Sequence, residues 1–439
     1  MKNMNIIRSL NRSLNFEQKK ATAILLAGTF LEYFDLMLYL HMAVFLNELF
    51  FPKISPHLSN LIAATGFCSI FVFRPIGALI FGYIGDIYGR KSTVIITTTM
   101  MSICCVSMAL MPTYEQIGIT AAWLVTICRI LQGLSSMGEV IGAQIYLSEL
   151  IKKPECYPVV NFIGCSCVIG SLAALAMSSA ILSAGFEWRL AFLMGALIAI
   201  VGTVARTALR ETPEFANARL KLKKIFKQAD LDANDILKSD PIVNEKVNQK
   251  TSLAYFFLQC GRPVCFYFLY VYCACILKNS FNYSPQQVIQ HNLIVSFTEF
   301  VVMLSNTYLC YKICPLKIIR VRVYVFSIFI IFLPYFLFNT STVVQLYCIQ
   351  IVVAIFQPTS SPAEAIIFTN FPVFKRFRYI SFLYALSRAL VFIITSFGFV
   401  YLTKIFDYQG LLIIFIPLMV VFIYGLNHFD KLEKSSLTK

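Results

Sequence analysis

Charge is what this sequence has least of. Asp, Glu, Lys and Arg make up 13% of its 439 residues, against 58% hydrophobic residues and a mean hydropathy of +0.73. A soluble domain covers its surface with about 25% charged residues, so a soluble fold is excluded. Histidine is rarer still. His41, His57, His291 and His428 are the complete set, and none stands beside a nucleophile or a metal-ligand cluster in the sequence. No glycine-rich phosphate loop occurs, so neither an enzyme nor a bound cofactor or metal is expected. The first twenty residues are polar and basic, without the short apolar core and small-residue cleavage site of a removable signal peptide. Glycine also gives out part-way: 15 of the 19 lie at or before Gly202, the rest being Gly261, Gly398, Gly410 and Gly425.

What is present is a series of apolar runs, each long enough to cross a bilayer as a helix. The expected fold class is an all-α polytopic membrane protein of twelve transmembrane helices in two six-helix halves. The spans are placed at about Ala21–Leu40, Leu58–Tyr83, Ser92–Met111, Ile117–Leu147, Tyr157–Ala184 and a sixth after Trp188, then Ser252–Leu277, 289–311, 318–338, 343–369, 379–403 and 409–427. This gives a leader (1–20), a first bundle (21–210), a charged linker (211–250), a second bundle (251–428) and a short tail (429–439). The net charge of +15 suggests nucleic acid until the positions are read. Lys and Arg gather in the leader, the linker and alternate loops, and only Lys53, Arg189, Lys278 and Lys404 fall in the opposite set of loops. That alternation is the positive-inside rule, so the expected partner is the lipid bilayer and both termini are expected to be cytoplasmic. The 14 cysteines lie mostly within apolar runs, where they read as small packing residues between helices.

The most specific stretch runs from Phe73 to Lys91. Gly82-x-x-x-Asp86-x-x-Gly89-Arg90-Lys91 places an acid at a helix end, a glycine free to take positive φ and two cations that cannot follow the chain into lipid. This spacing resembles the signature between helices two and three of the major facilitator superfamily. Arg74-Pro75-x-Gly77 narrows the likeness to its metabolite:proton symporter branch, which includes proline/betaine and carboxylate transporters. Further resemblances are Arg129-x-x-Gln132-Gly133, Gly138-Glu139, Glu211-Thr-Pro-Glu-Phe215 and Phe371-Pro372-x-x-x-Arg376. Departures also occur: Ile87 stands where a basic residue is usual, Met137 replaces a glycine, and the glycines expected after Tyr384 do not appear. The likeness covers the first half by motif and the second mainly by layout.

Ionisable side chains at membrane depth are costly and by default mark a substrate or proton path. Glu32, Asp35 and Tyr39 lie within about 60° on the first helix at 100° per residue. Arg129, Gln132, Ser136 and Glu139 form a stripe about 80° wide on the fourth. Glu299 and Arg388 are the corresponding second-half candidates, with Arg262 nearer the cytoplasmic end by this reading. Arg74, Gly82, Asp86, Gly89, Arg90 and Lys91 are expected to gate, with Asp86 and Arg90 holding the two halves together. The resemblance implies uptake of a small polar solute (carboxylate, amino acid or betaine) by proton symport with alternating access, in a monomer of the bacterial inner membrane. Coupling is expected through Asp35 with Glu32 assisting, on the premise that Arg129 faces the solute cavity. An uncoupled facilitator and a non-transporting solute sensor are the alternatives.

Overall fold

The computed structural model describes residues 14–51, 56–184, 187–207, 217 and 245–437. The helices before the linker are α1 (Phe16–Phe50), α2 (Pro56–Ile87), α3 (Arg90–Ala109), α4 (Ile119–Leu150), α5 (Cys156–Ala184) and α6 (Arg189–Thr207). Those after it begin with α7 (Gln249–Tyr267), which passes through a π-helical turn, Phe268–Tyr272, into Cys273–Phe281. They continue with α8 (Pro285–Lys312), α9 (Pro315–Phe338), α10 (Val343–Phe356), α11 (Val373–Phe406) and α12 (Gly410–Leu437). Local chemistry sets several starts. Ser284 and Gln287 form a capping box ahead of α8, and Thr342 and Gln345 form one ahead of α10. Each pairs donors that a helix N-terminus would otherwise leave unsatisfied. Pro285 and Pro315 occupy first-turn positions, where the missing N–H costs nothing.

Among the described residues, nine helical stretches are long and apolar enough to cross a membrane, and none of these residues is in a strand. Polarity is inverted relative to a water-soluble protein. Trp123, Ile328, Phe397 and Tyr401 are exposed, whereas Glu32, Asp35, Arg74 and Arg129 are buried. Lipid rewards the first arrangement, and the bundle interior shelters the second.

One end of the bundle can be fixed from side-chain contacts. Gln18, at the start of α1, donates to the Leu150 carbonyl at the end of α4 at 3.2 Å. Lys153 pairs with Glu433 near the end of α12 at 3.7 Å, and Lys375, at the start of α11, donates to the Glu245 carbonyl at 3.0 Å. The start of α1, the end of α12 and the entries to α7 and α11 therefore share one end, the terminal end.

Several boundaries differ from the sequence expectation. α1 extends at both ends, and α12 runs on to Leu437, through most of the segment read as a tail. The tenth span is not one helix. It breaks at 357–360, resumes as a 3-10 turn, Ser361–Ala363, and ends as Glu364–Phe368. Pro358 forces Gln357 out of the helical region, to φ −47° and ψ 138°, as the residue before a proline is driven. Most of the leader, and the linker apart from Asn217 and 245–250, lie outside the described residues.

Candidate functional site

The halves meet through a latch at the terminal end. Asp86, at the end of α2 and 4% exposed, accepts the backbone N–H groups of Phe377 and Arg378 in α11 at 3.1 and 3.0 Å. An acid here also faces the positive end of the α11 dipole. Beside it, Arg376 of α11 and Glu149 of α4 form an ion pair at 2.9 Å with both side chains buried. Gly82 permits the close approach: a Cβ there would stand 2.6 Å from the Arg378 Cα. Gly89, at φ 115°, turns the chain from α2 into α3, a conformation that favours glycine. Asn161 of α5 adds a polar clasp, donating to Thr307 Oγ1 at 2.6 Å and accepting from Ser361 Oγ at 2.8 Å. Lys91 is half-buried, and the Arg90 side chain lies outside the described residues.

Between the halves, away from the latch, lies a partly open cavity. Its charged walls are Arg74 (α2), Arg262 (α7), Glu299 (α8) and Arg388 (α11), set among Tyr33, Phe71, Phe266, Tyr270 and Phe392. Counting 1.5 Å per residue, Arg74, Arg262 and Arg388 lie roughly 20–23 Å from the terminal ends of their helices, near mid-bundle. Glu299 is held from three sides. Arg262 approaches Oε1 at 3.5 Å, Gln357 from the α10 break donates to Oε1 at 3.3 Å, and Tyr270 from the π turn donates to Oε2 at 3.0 Å. The π turn is braced in its own right. Gln350 donates to the Leu269 carbonyl at 2.9 Å and contacts the His291 Nε2 at 2.7 Å. Arg388 stacks on Tyr384, its guanidinium carbon 3.2 Å from the ring centroid.

Arg74 is different. It is 3% exposed, lies over the Phe71 ring at 4.7 Å, and has no hydrogen-bond partner for Nε or Nη2 among the described residues. A buried guanidinium with spare donors is costly unless an acceptor reaches it. Glu32, also buried, is within electrostatic reach of it.

A second chamber shares Tyr33, Cys167, Arg262 and Arg388 with the first, and is also lined by Gln144, Gln259, residues of the α10 break and Glu364. Glu364 lies between the break and the turn into α11, so this chamber is on the latch side of the cavity.

Asp35, Tyr39, Arg129 and Gln132 come together elsewhere. Gln132 Nε2 donates to Asp35, Arg129 Nη1 donates to Gln132 Oε1 at 2.7 Å, and the Arg129 guanidinium lies 3.8 Å over the Tyr39 ring. Gln132 thus bridges acid and cation in a buried network tying α1 to α4. None of the four lines either chamber described above. The side chain of Glu139 lies outside the described residues. Of the sequence candidates, Glu299 and Arg388 line the cavity. Arg74, expected at the gate, lines it too, and Arg262 sits well inside its helix rather than near the end. Tyr33, Tyr270, Gln259 and Glu364 were not singled out. Pro358 and Pro362 were the readable signal for the last of these, since a broken helix at membrane depth ordinarily borders a cavity.

Comparison with known proteins agrees with this architecture. The transporter OusA of Dickeya dadantii (strain 3937), for glycine betaine, proline, ectoine and pipecolic acid, is 29% identical over 65% of this chain and 57% of its own. The proline/betaine transporter of Salmonella typhimurium is 30% identical over the same shares, and that of Escherichia coli K12 is 33% identical over 47% and 43%. The matches thus span about half the length of these relatives. Among solved structures, the proton:xylose symporter XylE superposes with a TM-score of 0.67 at 16% identity, over 93% of both chains. The human organic anion transporter MFSD10 does so with 0.65 at 13%, over 94% of this chain and 99% of its own. The family model of the Major Facilitator Superfamily matches residues 23–395. With two bundles clasped at Asp86 and a charged cavity between them, the chain belongs to the Major Facilitator Superfamily, a family of membrane transporters rather than enzymes.

Proposed function

We propose that the protein is a secondary active transporter that imports a small carboxylate-bearing solute by proton symport with alternating access. The terminal end is cytoplasmic on this reading, because the basic residues gather there, and the membrane is a bacterial inner membrane. The reading rests on Arg74. Arg74 lines the cavity, its Nε and Nη2 have no hydrogen-bond partner among the described residues, and a planar guanidinium matches a carboxylate in two parallel hydrogen bonds. Carboxylates, amino acids and betaines all offer that group. The body of the solute packs against Phe71, Phe266 and Phe392, and its far end meets Tyr270 and Glu299. The latch closes the cytoplasmic side, so solute enters from outside. The halves then rock about the site and part at Asp86.

Thermal stabilisation of purified protein tests the site, since a ligand that binds only the folded state raises its stability. A panel of glycine betaine, proline, succinate and the uncharged polyol sorbitol should give upward shifts for one or more carboxylates and none for sorbitol. Each hydrogen bond to a charged group contributes about 1.5–3 kcal/mol, so Arg74→Gln should weaken binding roughly 10- to 100-fold. The same change removes an under-satisfied buried cation, so the ligand-free melting temperature should hold or rise. Arg74→Lys, which keeps the charge and loses the fork, should fall between. A lowered ligand-free melting temperature with unchanged ligand shifts would make Arg74 a structural residue. Exchange without accumulation on a pH gradient in wild type would mark an uncoupled facilitator.

A further inference from the structure

Coupling needs a carboxyl group whose proton occupancy responds to solute in the cavity. Neither Asp35 nor Arg129 lines the cavity, and Gln132 bridges the two. Glu364 is placed differently. It is 4% exposed, and both Gln259 Nε2 and Ser360 Oγ donate to its Oε1 at 2.7 Å. Oε2 has no hydrogen-bond partner among the described residues. Two donors converge on Oε1 and none reaches Oε2 among the described residues, so Oε2 is the oxygen at which a proton can be added.

The groups facing Glu364 come from every wall of the second chamber. They are Tyr255 and Arg262 from α7, Tyr384 and Arg388 from α11, Tyr33 from α1 and Cys167 from α5. Among the described residues, no Lys or Arg nitrogen forms an ion pair with Glu364. Arg388 is the cation within electrostatic reach of it, and Arg388 is also a wall of the solute cavity.

We infer that Glu364 carries the coupling proton and that Arg388 transmits solute occupancy to it. With the cavity empty, the field of Arg388 favours the carboxylate form of Glu364. A solute carboxylate bound between Arg74 and Arg388 offsets that field, and Glu364 takes a proton from the outer solution through the cavity onto Oε2. Solute binding therefore promotes proton binding, and by linkage the reverse holds equally. When the latch opens, water reaches the second chamber, the solute leaves Arg388, and the proton passes from Oε2 to the cytoplasm. No covalent bond to the solute forms or breaks.

The inference rests on the proposed function, and the test separates the two. Wild-type protein in sealed vesicles is given an imposed pH gradient and radiolabelled glycine betaine, with labelled succinate in parallel. Failure of wild type to move either probe overturns the proposed function and this inference with it. With wild type accumulating, Glu364→Gln is expected to lose accumulation while retaining exchange between equal pools. Asp35→Asn, measured alongside, is expected to keep pH-driven accumulation. Accumulation by Glu364→Gln overturns the inference, and its loss in Asp35→Asn instead moves the proton to α1. Ser360→Ala keeps the carboxyl and removes one donor, which guards against a Glu364 variant that fails to fold. It should displace the pH midpoint of accumulation and leave exchange intact, and an unmoved midpoint counts against Glu364.

Discussion

Asp86→Asn should unlatch the two halves. In the closed structure the Asp86 carboxylate accepts two backbone N–H groups of α11, at 3.1 and 3.0 Å. Hydrogen bonds to a charged acceptor contribute about 1.5–3 kcal/mol each, and a neutral one about 1 kcal/mol. Asparagine keeps one carbonyl acceptor and turns an NH2 toward the second N–H. The closed form should therefore lose roughly 2–5 kcal/mol, and if the open form lacks these contacts the whole loss enters the closed-to-open equilibrium. At 1.4 kcal/mol per tenfold, that is a shift of roughly 30- to 4000-fold toward open. The donors are backbone amides, so hydrogen exchange in lipid nanodiscs reads the bond directly. Peptides covering 373–380 should exchange faster in the variant, up to the limit set by the open population. Peptides from α9, which packs on α8, α10 and α12, should not. Equal exchange at 373–380 in both proteins would show that these bonds do not hold the latch.

Two further outcomes follow from the same end of the molecule. Glu149→Gln removes the carboxylate of the buried pair with Arg376, and breaking a buried pair by removing one partner costs about 3–5 kcal/mol. The double variant Glu149→Gln/Arg376→Gln should recover much of the lost thermal stability, and equal losses in single and double variants would show that the pair is not coupled. Reporter fusions after Lys439 and near Asp230 should both report the cytoplasm, because the basic bias alternates span by span. Opposite sides would break the assignment of six helices to each half.

The parts of the fold that could be read in advance are those whose chemistry is local. The turn from α2 to α3 is written in ten consecutive positions, Gly82 through Lys91, and needs no partner to be recognised. Its function does need one: the Asp86 acceptors are N–H groups of Phe377 and Arg378, 291 and 292 residues away. The inward-facing stripe of Glu32, Asp35 and Tyr39 could likewise be drawn on a helical wheel, which fixes direction around one axis. It cannot say which interior surface that direction meets. Glu32 comes within reach of Arg74 beside the cavity, while Asp35, one turn further along, meets Gln132 and Arg129, which do not line it. The α10 break was legible and was passed over. Pro358 and Pro362 both interrupt the apolar run, and reading through them as one helix from 343 to 369 concealed the segment that supplies Gln357, Ser360, Ser361 and Glu364.

On the proposed function, the cavity accounts for coupling by so sparse a set of charges. Arg74 has donors without an acceptor, and Glu364 has an oxygen without a donor. Had the fold brought the two within hydrogen-bond distance, each would have satisfied the other, and neither would be left for a ligand. Instead they line separate chambers, with Tyr33, Arg262 and Arg388 as the shared wall. Under the proposed function a solute carboxylate completes Arg74 and a proton completes Glu364. Arg388, facing both chambers, makes each completion easier once the other has occurred. The burial that leaves these two groups under-satisfied in the empty protein is then the same feature that makes solute and proton bind together.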